Sequence, residues 1–277
     1  MSQKPVRATR GVVELTVLRT EWRTPHMIRV VFGGRGIEDF QDNNDADHYV
    51  KLLFPPEGVS YPEPFNLDDI QRDLPRSQWP IRRTYTVRSF DADLGELVID
   101  FVYHGDEGIA GPWAANARPG DVLRLLGPGG KYSPSADADW HLLVGDESAL
   151  PAIGSALERM PAQARVKVIV QVENPDEQQK FDSPAEADFT WLYRCDAVDA
   201  DARAQLSDAV TAWEFPPGQG QFFIHGEAET TMKRIRPYLL NDRGVHRDWL
   251  SISGYWRLGN TEENFRDWKA RQAAASN

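Results

Sequence analysis

Between Val12 and about Tyr132 the apolar residues alternate with polar ones in short runs, VVELTVL, MIRVVF, YVKLLF, RTYTVR, LVIDFVY and VLRLL, with Gly, Pro and Asp in the gaps. Period-two alternation over such lengths predicts half-buried strands, and several of them with turn punctuation predict an antiparallel barrel or sandwich. The Pro- and Asp-rich stretch from Gly58 to Pro80 reads as a loop inserted between two of these strands.

Beyond Pro134 the rhythm changes to apolar strands followed by helical segments: HLLVG then ALPAIGSALERM, RVKVIVQV, FTWLYR then ARAQLSDAVTAW, QFFIHG then ETTMKRIRPYLL, and finally WLSISGYW. Strands that alternate with helices predict βαβ units and a parallel sheet. The expected fold class is thus β + α/β, an N-terminal antiparallel β-barrel over residues 1–135 and a doubly wound parallel-sheet domain over 136–277, divided in YSPSADADW near Ser135. The closing TEENFRDWKARQ, with Thr261 as N-cap and Glu in its first turn, predicts a C-terminal helix.

Composition agrees with two ordinary domains: 277 residues, 41% hydrophobic, with nine Trp, leave no case for disorder. The charge balance of 31 basic against 42 acidic residues, net −11, speaks against nucleic acid or an anionic membrane as partner. It leaves room for a local basic pocket that takes a small anion.

One cysteine, Cys195, cannot make an internal disulfide, a CxxC pair or a cysteine-ligated iron–sulfur cluster, so any redox role falls to an organic cofactor. The opening MSQKPVRATR lacks a following apolar h-region and no run approaches 18 apolar residues, which predicts a cytoplasmic protein without a membrane partner. The six histidines form no HExxH or compact cluster, and neither GxxxxGK[ST] nor GxSxG occurs, so no bound catalytic metal is expected.

In RRTYTVR (82–88) period two places Arg83 and Tyr85 on one face, an arrangement in which a guanidinium can grip a phosphate while a phenol ring stacks on a flat ring system. An amphipathic barrel strand with solvated arginines gives the same pattern. Next, DFVYHGDEGIAGPWAANARPGD (100–121) begins as a strand with Asp100, Val102 and His104 on one face, then turns through Gly105, Gly108 and Gly111 into a short helix. Successive N–H groups entering that helix can bind a diphosphate, or the segment is a glycine turn with Trp113 in the core.

HLLVGDESALPAI reads as strand, sharp turn and helix start at the carboxyl edge where doubly wound sheets bind ligands. It lacks GxGxxG, and Asp146 and Glu147 repel a pyrophosphate, which suits a ribose-hydroxyl or helix-capping role for Asp146. A second such turn is Gly226-Glu227 in FFIHGEAETTMKRI, whose His225 is a strand-end histidine of the kind that is commonly just solvated.

Taken in order, VKLLFP, RTYTVR, the His104 turn, GDESALPAI, GEAE and GYWRLG make the chain resemble the siderophore-interacting protein family, within the ferredoxin reductase-like flavoproteins. The family's RxYTxR is matched by Arg83, Tyr85, Thr86 and Arg88. The resemblance implies FAD on the barrel, with Tyr85 beside the isoalloxazine, Thr86 near N5, an arginine on the pyrophosphate, and Val87, Arg88, Asp100 and Val102 in the same set. Alternation puts Thr86 opposite Tyr85, so its role needs a bend or a backbone contact. His104, Gly108, Ala110 and Trp113 fit the family's FAD-supporting turn, although Ile109 stands where a proline is expected and Pro112 directly precedes Trp113.

By the same resemblance Asp146, Gly226, Glu227 and Trp256, with neighbouring Tyr255, form the nicotinamide side, and Lys51 and Arg257 orient an anionic ferric siderophore. The implied reaction is hydride transfer from NADH or NADPH to flavin, then one-electron steps to Fe(III) that release Fe(II). The flavin performs the chemistry and no side chain is assigned as catalytic. A ferredoxin, a quinone or free flavin as redox partner, and a non-catalytic siderophore or flavin carrier, stand as alternatives. The protein is expected to be a monomer.

Overall fold

A computed structural model of the chain describes residues 11–196, 200–260 and 264. The expected C-terminal helix with its Thr261 cap lies outside the described residues, Asn264 apart. Two compact units form: one from the residues up to Glu21 with Ile28–Asn44 and His48–Gly130, the other from Trp22–Met27, Asp45–Asp47 and the residues from Lys131 onward.

In the first unit the strands β1 (Val13–Thr24), β2 (Met27–Gly33), β3 (Tyr49–Phe54), β4 (Ile81–Asp91), β5 (Glu96–Val102) and β6 (Val122–Gly129) close into a barrel in the order β1-β2-β5-β4-β3-β6. Alternate residues supply its core: Val13, Leu15 and Val17 from β1, Val50 and Leu52 from β3, and Leu97, Ile99 and Phe101 from β5 are all buried in one cluster. Closing the sheet leaves no open edge, which is how a barrel built of short strands avoids pairing with other chains.

The stretch Gly58–Pro80 is more than the expected loop, because it contains the helix α1 (Leu67–Asp73). Asn66 caps it, its side-chain oxygen accepting from the N–H groups of Asp68 at 3.0 Å and Asp69 at 3.2 Å, and Arg72 stands in the last turn. Such a cap is worth about 1 kcal/mol, enough to hold a helix too short to show periodicity. A second short helix, α2 (Ala110–Asn116), follows β5.

The second unit carries β7 (Trp140–Asp146), α3 (Leu150–Glu158), β8 (Arg165–Val172), β9 (Ala187–Tyr193), α4 (Ala200–Ala212), β10 (Gly220–Glu227) and β11 (Leu250–Trp256). Between β10 and β11 runs a helix of wide π-type turns, Glu229–Ile235 and Tyr238–Asp242, where an ordinary helix was expected. The strands are parallel in the order β11-β10-β7-β8-β9. β7 is buried along its whole length, as both-face coverage by helices requires.

Residues far from this sheet in sequence join its unit through specific bonds. Asp47 accepts from the N–H groups of Lys131 and Tyr132, both at 2.8 Å, and buried Glu177 accepts from Thr24 Oγ1 and lies against His26 Nδ1, both at 2.5 Å.

Candidate functional site

β4 carries the first group of site residues. It pairs antiparallel with β3, Leu52 opposite Arg83 and Val50 opposite Tyr85, so both site residues share the face of buried core residues. Tyr85 is half-buried, its ring 4.6 Å from that of Phe101. Thr86 lies opposite Tyr49 and Thr84 opposite Lys51, which puts Lys51 and Thr86 together on the outer face. The register with β5 shifts between Val87 and Ser89, making Arg88 the extra, buried residue of a bulge. The bend that Thr86 called for therefore comes two residues later, and Val87 remains in the core.

β5 ends at Val102, so His104 is exposed in the turn rather than on a strand face. Asp100 gives both carboxylate oxygens to Arg29, at 2.7 and 2.8 Å, and is buried. Asp100 and Val102, two apart on β5, keep a common face, with Asp100 held by the cross-strand ion pair, and only His104 leaves it, lying in the loop beyond the strand's end. Gly108 is exposed just before Ile109.

Ile109, the N-cap of α2, makes no side-chain capping bond, so the N–H groups of the first turn are left to another acceptor. Helix N-termini in this condition suit a diphosphate. α2 lies close on β5: a Cβ on Gly111 would stand 3.1 Å from the carbonyl oxygen of Val102. Ala110 is buried, and Trp113 packs among Phe32, Phe54 and Phe101 at centroid distances of 6.2, 5.7 and 5.8 Å. Beside Trp113 opens a cleft of about 650 Å³ lined by Phe54, Tyr61, Phe65 and Arg124 among others, large enough for a nucleoside-sized group. The donors and rings of this unit fit FAD.

In the second unit the strand order reverses between β7 and β10, the position at which open α/β sheets bind ligands beyond the strands' carboxyl ends. Asp146, Gly226, Glu227 and Trp256 converge there. Asp146 Oδ2 accepts from the N–H of Glu227 and from Trp256 Nε1, each at 2.8 Å, while Oδ1 accepts from the N–H of Ser148 at 2.9 Å and from its hydroxyl. With four donors on a buried carboxylate, Asp146 is occupied by its neighbours, and none of those donors belongs to α3, whose N-cap Ala149 receives no side-chain capping bond. Gly226 has φ +143°, and a Cβ there would meet Asp146 Oδ2 at 2.6 Å, so only glycine brings the two strand ends this close.

His225 is 4% exposed rather than solvated, stacked on Phe223 at 3.9 Å and bonded through Nε2 to Ser251 Oγ at 2.9 Å. Arg257 faces Glu229 at 3.9 Å. One cluster at this edge was not read from the sequence: Arg194, directly after β9, binds Glu147 through two nitrogens and Glu173 through Nε at 3.1 Å. Burial pushes the Glu147 carboxyl above its usual range, against the opposing pull of Arg194. The signal available was an acid or a base directly after each of β7, β8 and β9. Among the described residues no group of His, Cys, Asp and Glu is arranged to hold a metal, and no helix is long and apolar enough to cross a membrane.

Two family models match the chain, a siderophore-interacting FAD-binding domain over residues 16–132 and a siderophore-interacting protein model over 138–259. An uncharacterized protein of Mycobacterium tuberculosis is 45% identical over 97% of this chain and 98% of its own length. The ferric vibriobactin reductase ViuB of Vibrio cholerae is 31% identical over 91% of this chain and 92% of its own. A siderophore utilization protein from T. fusca, solved by crystallography, superposes with a TM-score of 0.77 at 37% identity, covering 91% and 94% of the two chains.

Proposed function

The chain belongs to the siderophore-interacting protein family, and on that premise we propose that it is an FAD-dependent reductase of ferric siderophores that draws electrons from NADH or NADPH. The observation that carries the reading is that the barrel unit has both an uncapped helix start at Ile109 and, on one face of β4, Arg83 and Tyr85. Arg83 and the first N–H groups of α2 would hold the pyrophosphate, and Tyr85, braced by Phe101, would support the flat ring. When bound, FAD would supply the redox chemistry, the conversion of a two-electron hydride into single electrons for two Fe(III) ions.

Lys51, on the outer face with Thr86, attracts an anionic ferric chelate toward an otherwise acidic protein. Hard oxygen donors hold Fe(II) more weakly than Fe(III), so reduction releases iron inside the cell with the chelator intact. The crevice of the second unit, walled by Asp146, Glu227 and Trp256, receives the nicotinamide.

A second reading is favoured by one observation: Asp146 spends its acceptors internally, which leaves the nicotinamide side sparsely equipped and suits a ferredoxin donor or a carrier role. An anaerobic absorbance titration decides. Yellow protein bleached by NADH or NADPH and recoloured by a ferric siderophore supports the reductase. Colour unaffected by either nucleotide but lost with reduced ferredoxin replaces the donor, and protein that takes up no FAD ends the reading.

A further inference from the structure

We infer that the carboxyl edge of the parallel sheet reads an unphosphorylated adenosine ribose, so that NADH rather than NADPH is the nucleotide this chain takes. The inference rests on the pyridine-nucleotide donor proposed above and names which of the two it is.

β7, α3 and β8 form the first βαβ unit of this sheet. In such units a carboxylate near the end of the second strand takes the ribose 2′-hydroxyl, whereas a 2′-phosphate calls for an arginine. Glu173 directly follows β8, at the position of the hydroxyl reader. The arginine at this edge, Arg194, is committed elsewhere. Its Nε donates to Glu173 at 3.1 Å, its Nη1 donates to Glu147 at 2.9 Å, and its Nη2 binds the other Glu147 oxygen.

Two carboxylates against one guanidinium leave the cluster formally negative, and buried Asp146 beside it adds a further charge. A 2′-phosphate brought to Arg194 would stand against the carboxylates already paired with it, Glu173 and Glu147, the latter with a side chain only 11% exposed. Those carboxylates repel the incoming dianion at a partly buried site, where charge is weakly screened. A ribose hydroxyl displaces nothing, since the Glu173 side chain is 49% exposed and accepts from it directly. At the other end of the edge, Arg257 already faces Glu229.

The test uses the flavin-loaded full chain. Binding of adenosine 5′-monophosphate and adenosine 2′,5′-bisphosphate is followed by saturation-transfer NMR, and anaerobic bleaching by NADH and NADPH is followed over a concentration series. The expected result is at least tenfold weaker binding of both 2′-phosphorylated compounds, a ratio that falls to threefold or less in Glu173→Gln. Equal or tighter binding of NADPH, or a ratio unmoved in Glu173→Gln, overturns the inference while leaving the proposed donor class standing. If neither nucleotide binds or bleaches, the donor proposal itself falls and this inference falls with it.

Discussion

The indole N–H of Trp256 donates to Oδ2 of Asp146 at 2.8 Å, across the width of β10. The end of β11 is thereby fastened to the end of β7, and the same oxygen holds the N–H of Glu227 at the end of β10. One buried carboxylate thus sets the spacing of three strand ends.

Removing that carboxylate leaves the part-buried donors of Ser148, Glu227 and Trp256 without their acceptor. Asp146→Ala should cost about 1–3 kcal/mol in urea unfolding, since each stranded donor carries part of the desolvation penalty of a buried one. A loss under about 1 kcal/mol would show that these bonds are not what holds the crevice.

Tyr85→Ala should weaken FAD binding roughly tenfold, because a stacked ring contributes about 0.5–1.5 kcal/mol beyond its buried area. Tyr85→Phe keeps the ring and should retain most of the affinity. Flavin titrations of the two variants separate stacking from any role of the hydroxyl, and equal affinity of Tyr85→Ala and parent would refute the placement.

Gly111→Ala puts a Cβ 3.1 Å from the Val102 carbonyl oxygen, so α2 must move off β5 by a few tenths of an ångström. The expected consequence is a faster flavin off-rate with a modest loss of stability, about 1–3 kcal/mol. Unchanged flavin release in stopped-flow exchange would detach the position of α2 from cofactor binding.

His141 is fully buried, and that burial, partly offset by Gln221, lowers its ring to about 4 from the usual 6.5. The folded state therefore keeps the ring neutral while the unfolded chain takes up a proton below pH 6.5. Its contribution to stability is complete above pH 6.5 and is lost as the pH falls toward 4, with a limiting slope of about 1.4 kcal/mol per pH unit. NMR of the ring protons checks this directly: a midpoint above 6 in the folded protein contradicts it.

The strands were legible as short apolar runs set off by Gly, Pro and Asp, with alternate burial kept at the start of β1, and the shared face of Arg83 and Tyr85 followed from period two alone. α1 was not legible, since seven residues hold too few periodic positions, although Asn66 before two aspartates was a usable cap signal. His225 reads as a strand-end histidine, yet it is buried because β10 lies inside the sheet with β11 and β7 on its two sides.

By itself the sequence determined the order of strands and helices, the change from barrel to parallel sheet, and the motifs that carry the family. Only the tertiary structure decided that Asp146 is consumed by its neighbours and that Arg194 meets Glu147 and Glu173. Periodicity fixes which face a residue takes along its own strand. It says nothing about which strand lies alongside, and in a parallel sheet it is that pairing which gathers chain ends far apart in sequence into one charged edge.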